Sequence, residues 1–325
     1  MDDRIIRMKL DAIRRSAIVA RWPIGPWQAR TADFLAPGAY RFDDDWGETA
    51  GEVSWPAGKT AFIRTIAATP PGAPAENLFI QFDAEGLEGL LSVDGRPYAG
   101  IDANHLRVAV PRPGALALEA EFVSLLASLH RPELRRERGR LREVAFVRVD
   151  HELEAAYFDF RFTWEAGQQA KDDRRKQLLQ AALEAALLVV DLTAPAETYR
   201  GQVAAARALL AERIAAIAPD PEAGRIYLTG HSHIDTAWLW PLRETVRKCG
   251  RTFATACRLM ERYGDYHFSC SQPQLYAYTK AHFPALYEEI KKWVATGRWE
   301  CTGGPWVEMD CNIPSGEALI RQMLH

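Results

Sequence analysis

The stretch TGHSHIDTAWLWP, Thr229 to Pro241, sets His231, His233 and Asp235 at alternate positions just after an apolar run. In an extended chain, side chains at i, i+2 and i+4 share a face, so these three present imidazole and carboxylate donors together. Borderline-soft nitrogen with oxygen suits zinc or cobalt, and suits magnesium or calcium less. The plainer role for such histidines is a hydrogen bond to loop backbone. Three polar groups on one face at a strand's end favour a metal or catalytic role, and spacing alone leaves all three as candidates.

The surrounding text tells which elements must position them. From Arg225 short apolar runs alternate with helical stretches: RIYLTG leads into PLRETVRKCGRTFATACRLMERY, HFSCS into QLYAYTKAHFPALYEEIKKWVATG, and RWECTGG through PWVEMDCNIP into SGEALIRQMLH. That order predicts βαβ units and a parallel sheet, whose functional groups gather at the carboxyl ends of the strands. His231, His233 and Asp235 fall at such an end. Ser271, Gln272 and Gln274 follow the second strand, and Trp306, Glu308, Asp310 and Asn312 follow the third. Gln272 suits loop backbone as well as a ligand. Trp238, Trp240 and Trp306 are candidates for an apolar platform against a sugar face, or for core. Among possible further ligands, His267 opens its strand at the wrong end, His282 lies within a helix and His325 is the last residue; Asp310 or Glu308 qualifies on position alone.

Earlier in the chain the texture differs. From about Thr31 short alternating runs (TAFIRTIAA, NLFIQFDA, GLLSVDG, HLRVAV, ALALEAEFV) predict an antiparallel β-sandwich, with Asp-Gly of VDGRPY at a hairpin turn. The charge-dense HRPELRRERGRLREV reads as a solvated face or loop. Past Asp150, a predicted N-cap, three Ala- and Leu-rich segments read as helices, with Pro195 and APDPEAG as breaks. The expected fold is multidomain α+β: an N-terminal helix and lead-in over 1–30, a β-sandwich over 31–149, a helical connector over 150–222, and the first strands and helices of a larger α/β domain over 223–325.

Composition narrows the function classes. The formal net charge of −3, with basic residues scattered among acids, gives no footprint for nucleic acid or an anionic membrane. The opening segment has Ile5, Met8, Ile13 and Val19 spaced for an amphipathic helix, and charges interrupt it too often for a signal peptide. No run approaches a membrane span. Five cysteines, odd in number and without a C-x-x-C pair, fit reduced thiols in a cytoplasmic protein.

The segments GHSHIDTAWLWPLRETVRKC, SQPQLY and GGPWVEMDCNIPSGEALIRQ resemble the catalytic domain of the family 38 glycoside hydrolases, the class II α-mannosidases, in their cytosolic and bacterial branch. GLEGLLSVDGRPYAGIDANH is similar to the N-terminal β-domain of that branch. The resemblance implies a seven-stranded β/α barrel, incomplete here, and retaining hydrolysis of α-linked mannose in oligosaccharides. It implies one divalent metal, zinc with cobalt able to serve, with His233 and Asp235 as ligands and His231 as a flanking residue. It places Trp238 in the mannose-binding subsite and Asp310 as a residue shaping the pocket. The family's nucleophile and general acid lie in segments without a match here, so the 325-residue chain is expected to be an inactive fragment with weak metal affinity. A homo-oligomer is compatible with the sequence.

Two other classes remain in play. H-x-H-x-D also opens the metallo-β-lactamase pattern, but that pattern has histidine where Thr236 stands; an amidohydrolase barrel also carries H-x-H after an early strand. A carbohydrate-binding or scaffold protein without catalysis would equally use a β-sandwich.

Overall fold

The computed structural model describes residues 1–85, 87–124, 138–218 and 224–324. In chain order these form α1 (Asp3–Ser16), β1 (Ile18–Pro23), β2 (Trp27–Ala36), β3 (Ala39–Phe42), β4 (Gly47–Thr49), β5 (Val53–Pro56), β6 (Thr60–Ala68), a single 3-10 turn (Ala75–Asn77), β7 (Leu78–Glu85), β8 (Leu87–Val93), β9 (Arg96–Ile101), β10 (Arg107–Ala109), β11 (Ala115–Ser124) and β12 (Arg138–Val149). Helices α2 (His151–Gln169), α3 (Asp173–Leu188) and α4 (Ala196–Ala215) follow. The last stretch is β13 (Gly230–His231), α5 (Leu242–Arg262), β14 (Phe268–Cys270), α6 (Pro273–His282), α7 (Pro284–Ala295), β15 (Trp299–Cys301) and α8 (Gly316–Arg321). The class is α+β.

Twelve strands make two sheets. One runs β3-β2-β6-β11-β8-β9 with β4 on β2, antiparallel throughout. The other runs β1-β12-β7-β10 with β5 on β12. Trp55, Phe82 and Phe122, all fully buried, join the two: Phe122 lies 6.2 Å from the Trp55 ring and 5.9 Å from Phe82. The hairpin between β8 and β9 turns on Asp94 (φ 51°) and Gly95 (φ 76°), as Asp-Gly predicts.

Several sequence expectations need correction. In α1 the buried residues are Ile6, Leu10 and Ile13, while Ile5 and Met8 are exposed and Val19 belongs to β1. The helical period starting at Ile6 reaches Leu10 and Ile13 without meeting an arginine, so that stripe is the one buried. The charge-dense segment was expected to be a solvated face or loop; residues 130–137 lie outside the described set, and Arg138–Val144 are in β12, where Arg138, Arg140 and Arg142 form an exposed face and Gly139 and Leu141 alternate with them into the core, so the part described is a solvated strand face and not a loop. The single helix expected over QLYAYTKAHFPALYEEIKKWVATG is two, because Pro284 offers no amide hydrogen and Phe283 leaves helical geometry (φ −135°). The strand expected over RIYLTG is reduced to Gly230–His231, and Ile226, Tyr227 and Leu228 stand exposed.

The chain packs as two compact units, each discontinuous in sequence. In one, Met1–Trp22, Gly72–Phe79 and Phe146–Ile226, α1 to α4 share a core of Ile6, Leu10, Phe160, Leu183, Leu187 and Val203. Asp150 caps α2 as predicted, its carboxylate accepting from the amides of Glu152 (3.0 Å) and Leu153 (3.3 Å). The other unit holds Pro23–Pro71, Ile80–Ala145 and Tyr227–His325. There β13, β14 and β15 form a parallel sheet in that order. Beneath it Phe253, Phe268 and Trp299 pack with Ile234, Cys257, Cys270 and Leu275.

Within this second unit α5 lies directly on β9. A Cβ on Gly100 would stand 3.0 Å from both Cβ and the carbonyl oxygen of Arg251, and the Gly100 amide donates to Thr255 Oγ1 (2.9 Å). Only glycine lets the helix come so near. Among the described residues no helix is long and apolar enough to cross a membrane. All five cysteines are free.

Candidate active site at the ends of three parallel strands

Each of β13, β14 and β15 leads from its carboxyl end into a loop that carries polar residues, and the three loops meet. After β13 the alternation persists: Ile234 turns down into the core, 4% exposed, so His233 and Asp235 share the opposite face. Their donors lie side by side, His233 Nε2 3.0 Å from Asp235 Oδ1. His231 is engaged elsewhere, its Nδ1 3.0 Å or less from a backbone acceptor of β14, the Ser269 carbonyl (2.9 Å).

The loop after β13 is fastened from below by α5. Thr245, fully buried in the first turn of that helix, contacts the carbonyls of Thr236 (3.2 Å) and Asp235 (3.4 Å) and accepts from Trp240 Nε1 (3.1 Å). Sideways it is fastened by Gln272, after β14. The Gln272 side-chain amide donates to the Ile234 carbonyl (2.9 Å), and its oxygen accepts from Thr236 Oγ1 (3.0 Å) and from the Glu308 amide (3.3 Å). One buried side chain therefore ties the loops of all three strands. Gln272 holds φ +65°, a conformation that costs a non-glycine residue roughly 1–3 kcal/mol, and it is 2% exposed.

Glu308, after β15, closes the cluster. Its Oε2 is 2.5 Å from His233 Nδ1, and Ser271 Oγ donates to its other oxygen. The imidazole thus lies between two carboxylates. The Asp235 hydrogen bond, aided by the charges of Glu308 and Asp235, holds its pKa above the ordinary histidine value, against partial burial.

The other expected site residues lie as follows. Trp238 is 64% exposed and meets Trp240 edge to face at 5.5 Å. Trp306 is tied by Nε1 to Gln274 Oε1 (2.8 Å) and by its backbone amide to the Gln322 carbonyl (2.8 Å). Asp310 is exposed and folds back on its own loop, accepting from the Asn312 amide (2.7 Å). Ser271 lies at the strand end where the sequence put it, while the anchoring by Thr236 and Thr245 was not foreseen; a threonine inside a helix, such as Thr245, carries no local mark of such a role.

Among the described residues no three histidine, cysteine or acidic side chains form a ready metal cluster. The His233–Asp235 pair still fits as part of a donor set: two ligands of a tetrahedral zinc with bonds of about 2.0–2.1 Å stand roughly 3.3 Å apart.

A specific expectation attaches to the tie. Gln272→Ala removes the bonds of a buried amide and is expected to cost about 1–3 kcal/mol in urea unfolding. Gln272→Gly loses the same bonds but relieves the backbone, and should cost about 1 kcal/mol less than alanine. Equal effects would show that the left-handed conformation carries no strain.

Residues 223–325 match the family model described as glycosyl hydrolases family 38 N-terminal domain. The chain is 32% identical over 295 residues to human Alpha-mannosidase 2C1, an alignment covering 86% of this chain and 27% of that protein. It is 50% identical over 101 residues to Alpha-mannosidase G of Dictyostelium discoideum (31% of this chain, 9% of that one). It is 42% identical over 98 residues to Alpha-mannosidase of Saccharomyces cerevisiae (30% and 9%). The chain spans about a quarter of the length of the long relatives it matches, 27%. With its strand-end cluster inside the matched segment, and an alignment that runs back through sandwich and connector, the chain belongs to the family 38 glycosyl hydrolases.

Proposed function

We propose that this chain supplies the front of the catalytic β/α barrel, over residues 223–325, of a zinc-dependent α-mannosidase that removes terminal α-mannose from oligosaccharides with retention. The observation that carries the reading is the His233–Asp235 donor pair, 3.0 Å apart at the carboxyl end of β13, within the segment that matches the family. The relatives' shared name, alpha-mannosidase, supports the substrate class.

In this reading His233 Nε2 and Asp235 hold the metal, cobalt being able to replace zinc. When bound, the ion supplies charge that orients adjacent sugar hydroxyls. Trp238 offers an exposed apolar face to the sugar's C–H surface. Asp310 shapes the pocket wall. Retention requires two carboxyl groups, a nucleophile and a general acid, and neither is assigned to a residue of this chain. The sandwich and helical connector accompany the barrel, the partner is a mannose-containing glycan, and the site of action is the cytoplasm.

Calorimetry tests this directly. Zinc is expected to bind the protein, and His233→Ala or Asp235→Ala to weaken it at least tenfold. Mannose should bind only in the presence of zinc, and more weakly in Trp238→Ala. Mannose binding independent of metal and mapped to the sandwich would favour a carbohydrate-binding scaffold instead. The whole gene product is expected to cleave a nitrophenyl α-mannoside, and turnover of amides or lactams alone would overturn the assignment.

A further inference from the structure

We infer that Arg30 and Arg64, stacked on Trp46, form an oxyanion-binding site on the β-sandwich, suited to a phosphate group that is free or carried on a sugar. The site is built on β2, β6 and the turn after β3, none of which contributes to the strand-end cluster, so it stands apart from the mannosidase reading. Register puts its polar side chains on one face of the sheet. Gln28 is directly opposite Arg64, and Arg30, opposite Phe62, is one diagonal step from Arg64. Ala29 between them pairs with Ile63, which is fully buried on the other face. The Arg30 guanidinium carbon lies 3.4 Å from the centre of the Phe42 ring and 4.2 Å from that of Trp46, and the Arg64 guanidinium lies 4.0 Å from the same indole. Two planar cations thus share one aromatic ring, which orders both forks before a ligand arrives.

What these cations lack is acceptors. A guanidinium offers only donors. Among the described residues half-buried Arg30 makes no hydrogen bond or ion pair, and its Nε is shut off from water without a partner. Arg64 uses one donor, Nε on Gln28 Oε1 (2.9 Å). Glu119 and Asp45 attract Arg30 without closing an ion pair. Its pKa is held below the ordinary arginine value by burial first and then by the neighbouring Arg64 charge, ahead of the pull of those two acids. A cation so placed, with its donors unused beside a like charge, is stabilised by an anion that accepts from both arginines. The two oxygens of a carboxylate fill one fork, whereas a phosphate has oxygens for two.

Arginine side-chain NMR and calorimetry on the folded chain test the site. At mildly acidic pH and constant ionic strength, inorganic phosphate or mannose 6-phosphate should shift the Nε–Hε resonances of Arg30 and Arg64 together and saturably. Mannose should leave them in place, and acetate should bind more weakly than phosphate. Arg64→Gln, a change at an exposed position, should weaken phosphate binding about tenfold or more, as expected for lost hydrogen bonds to a charged group. Arg30→Lys, which keeps the charge without the fork, should weaken it as well, and Arg321→Gln on α8 should not. Matching circular dichroism spectra check that the variants fold. Tighter binding of mannose 6-phosphate than of phosphate would assign the group to a sugar, and equal affinity would assign it to free phosphate. Shifts that do not saturate, unchanged affinity in Arg64→Gln, or acetate binding as tightly as phosphate would overturn the inference.

Discussion

Arg247→Ala is expected to cost about 3–5 kcal/mol of unfolding free energy, the loss found when one partner of a buried ion pair is removed. Arg247 lies on α5, 6% exposed. Its guanidinium binds Glu244 (3.1 Å), Thr60 Oγ1 (2.7 Å) and Glu121, and stacks 3.6 Å from the Phe34 ring. Burial lowers its pKa, yet Glu121 and Glu244 outweigh that and hold it above the ordinary value. Removing it leaves Glu244 to the remaining bond from Arg251 (2.7 Å), in a site that solvent barely reaches.

The same change should reach the donor pair, because α5 carries Thr245, whose hydroxyl contacts the carbonyls of Asp235 and Thr236. Urea unfolding measures the first effect and zinc calorimetry the second. Arg247→Met combined with Glu121→Gln removes both charges of one pair, so its cost should fall below the sum of the single changes. Simple additivity would show that Arg247 and Glu121 are not energetically coupled. A loss below about 1 kcal/mol for Arg247→Ala, typical of exposed pairs, would mean that water enters this contact.

Phe253→Ala should cost a similar amount, about 3–5 kcal/mol, by a different route. Phe253 is fully buried under the parallel sheet, stacked on Tyr276 at 5.4 Å and edge-on to Trp299 at 5.3 Å. Trp299 Nε1 in turn donates to the Tyr276 hydroxyl (3.0 Å), which donates to the Cys270 carbonyl (2.9 Å) at the end of β14. Alanine would leave a void that these fixed rings cannot fill, so the cost contains a cavity contribution beside the lost transfer energy. Phe253→Leu retains most of the volume and should lose much less. Urea midpoints distinguish the two, and a small effect of alanine would mean that the rings close over the gap.

Several features were legible from neighbouring residues alone. Strand periodicity put His233 and Asp235 on one face with Ile234 beneath them, because side chains alternate whatever lies across the sheet. The Asp150 cap and the Asp94-Gly95 turn are likewise local, set by side chains within three residues of the backbone groups they serve. The order of strand and helix textures was enough to predict three parallel strands.

What the sequence by itself determined is therefore a face shared by His231, His233 and Asp235 and the elements beneath it; only the tertiary structure decided what surrounds those three. Gln272 reaches partners 36 and 38 residues away, and Glu308 reaches His233 from a different strand end. Such meetings depend on which strands neighbour one another and in what register, which no local spacing encodes. The same holds for His231: alternation grouped it with the donors, while strand pairing put the Ser269 carbonyl within its reach. The arginines and acids of α5 repeat at i, i+3 and i+7, which reads equally as a solvated face; Glu88 and Glu121 arriving from β8 and β11 make it a buried one.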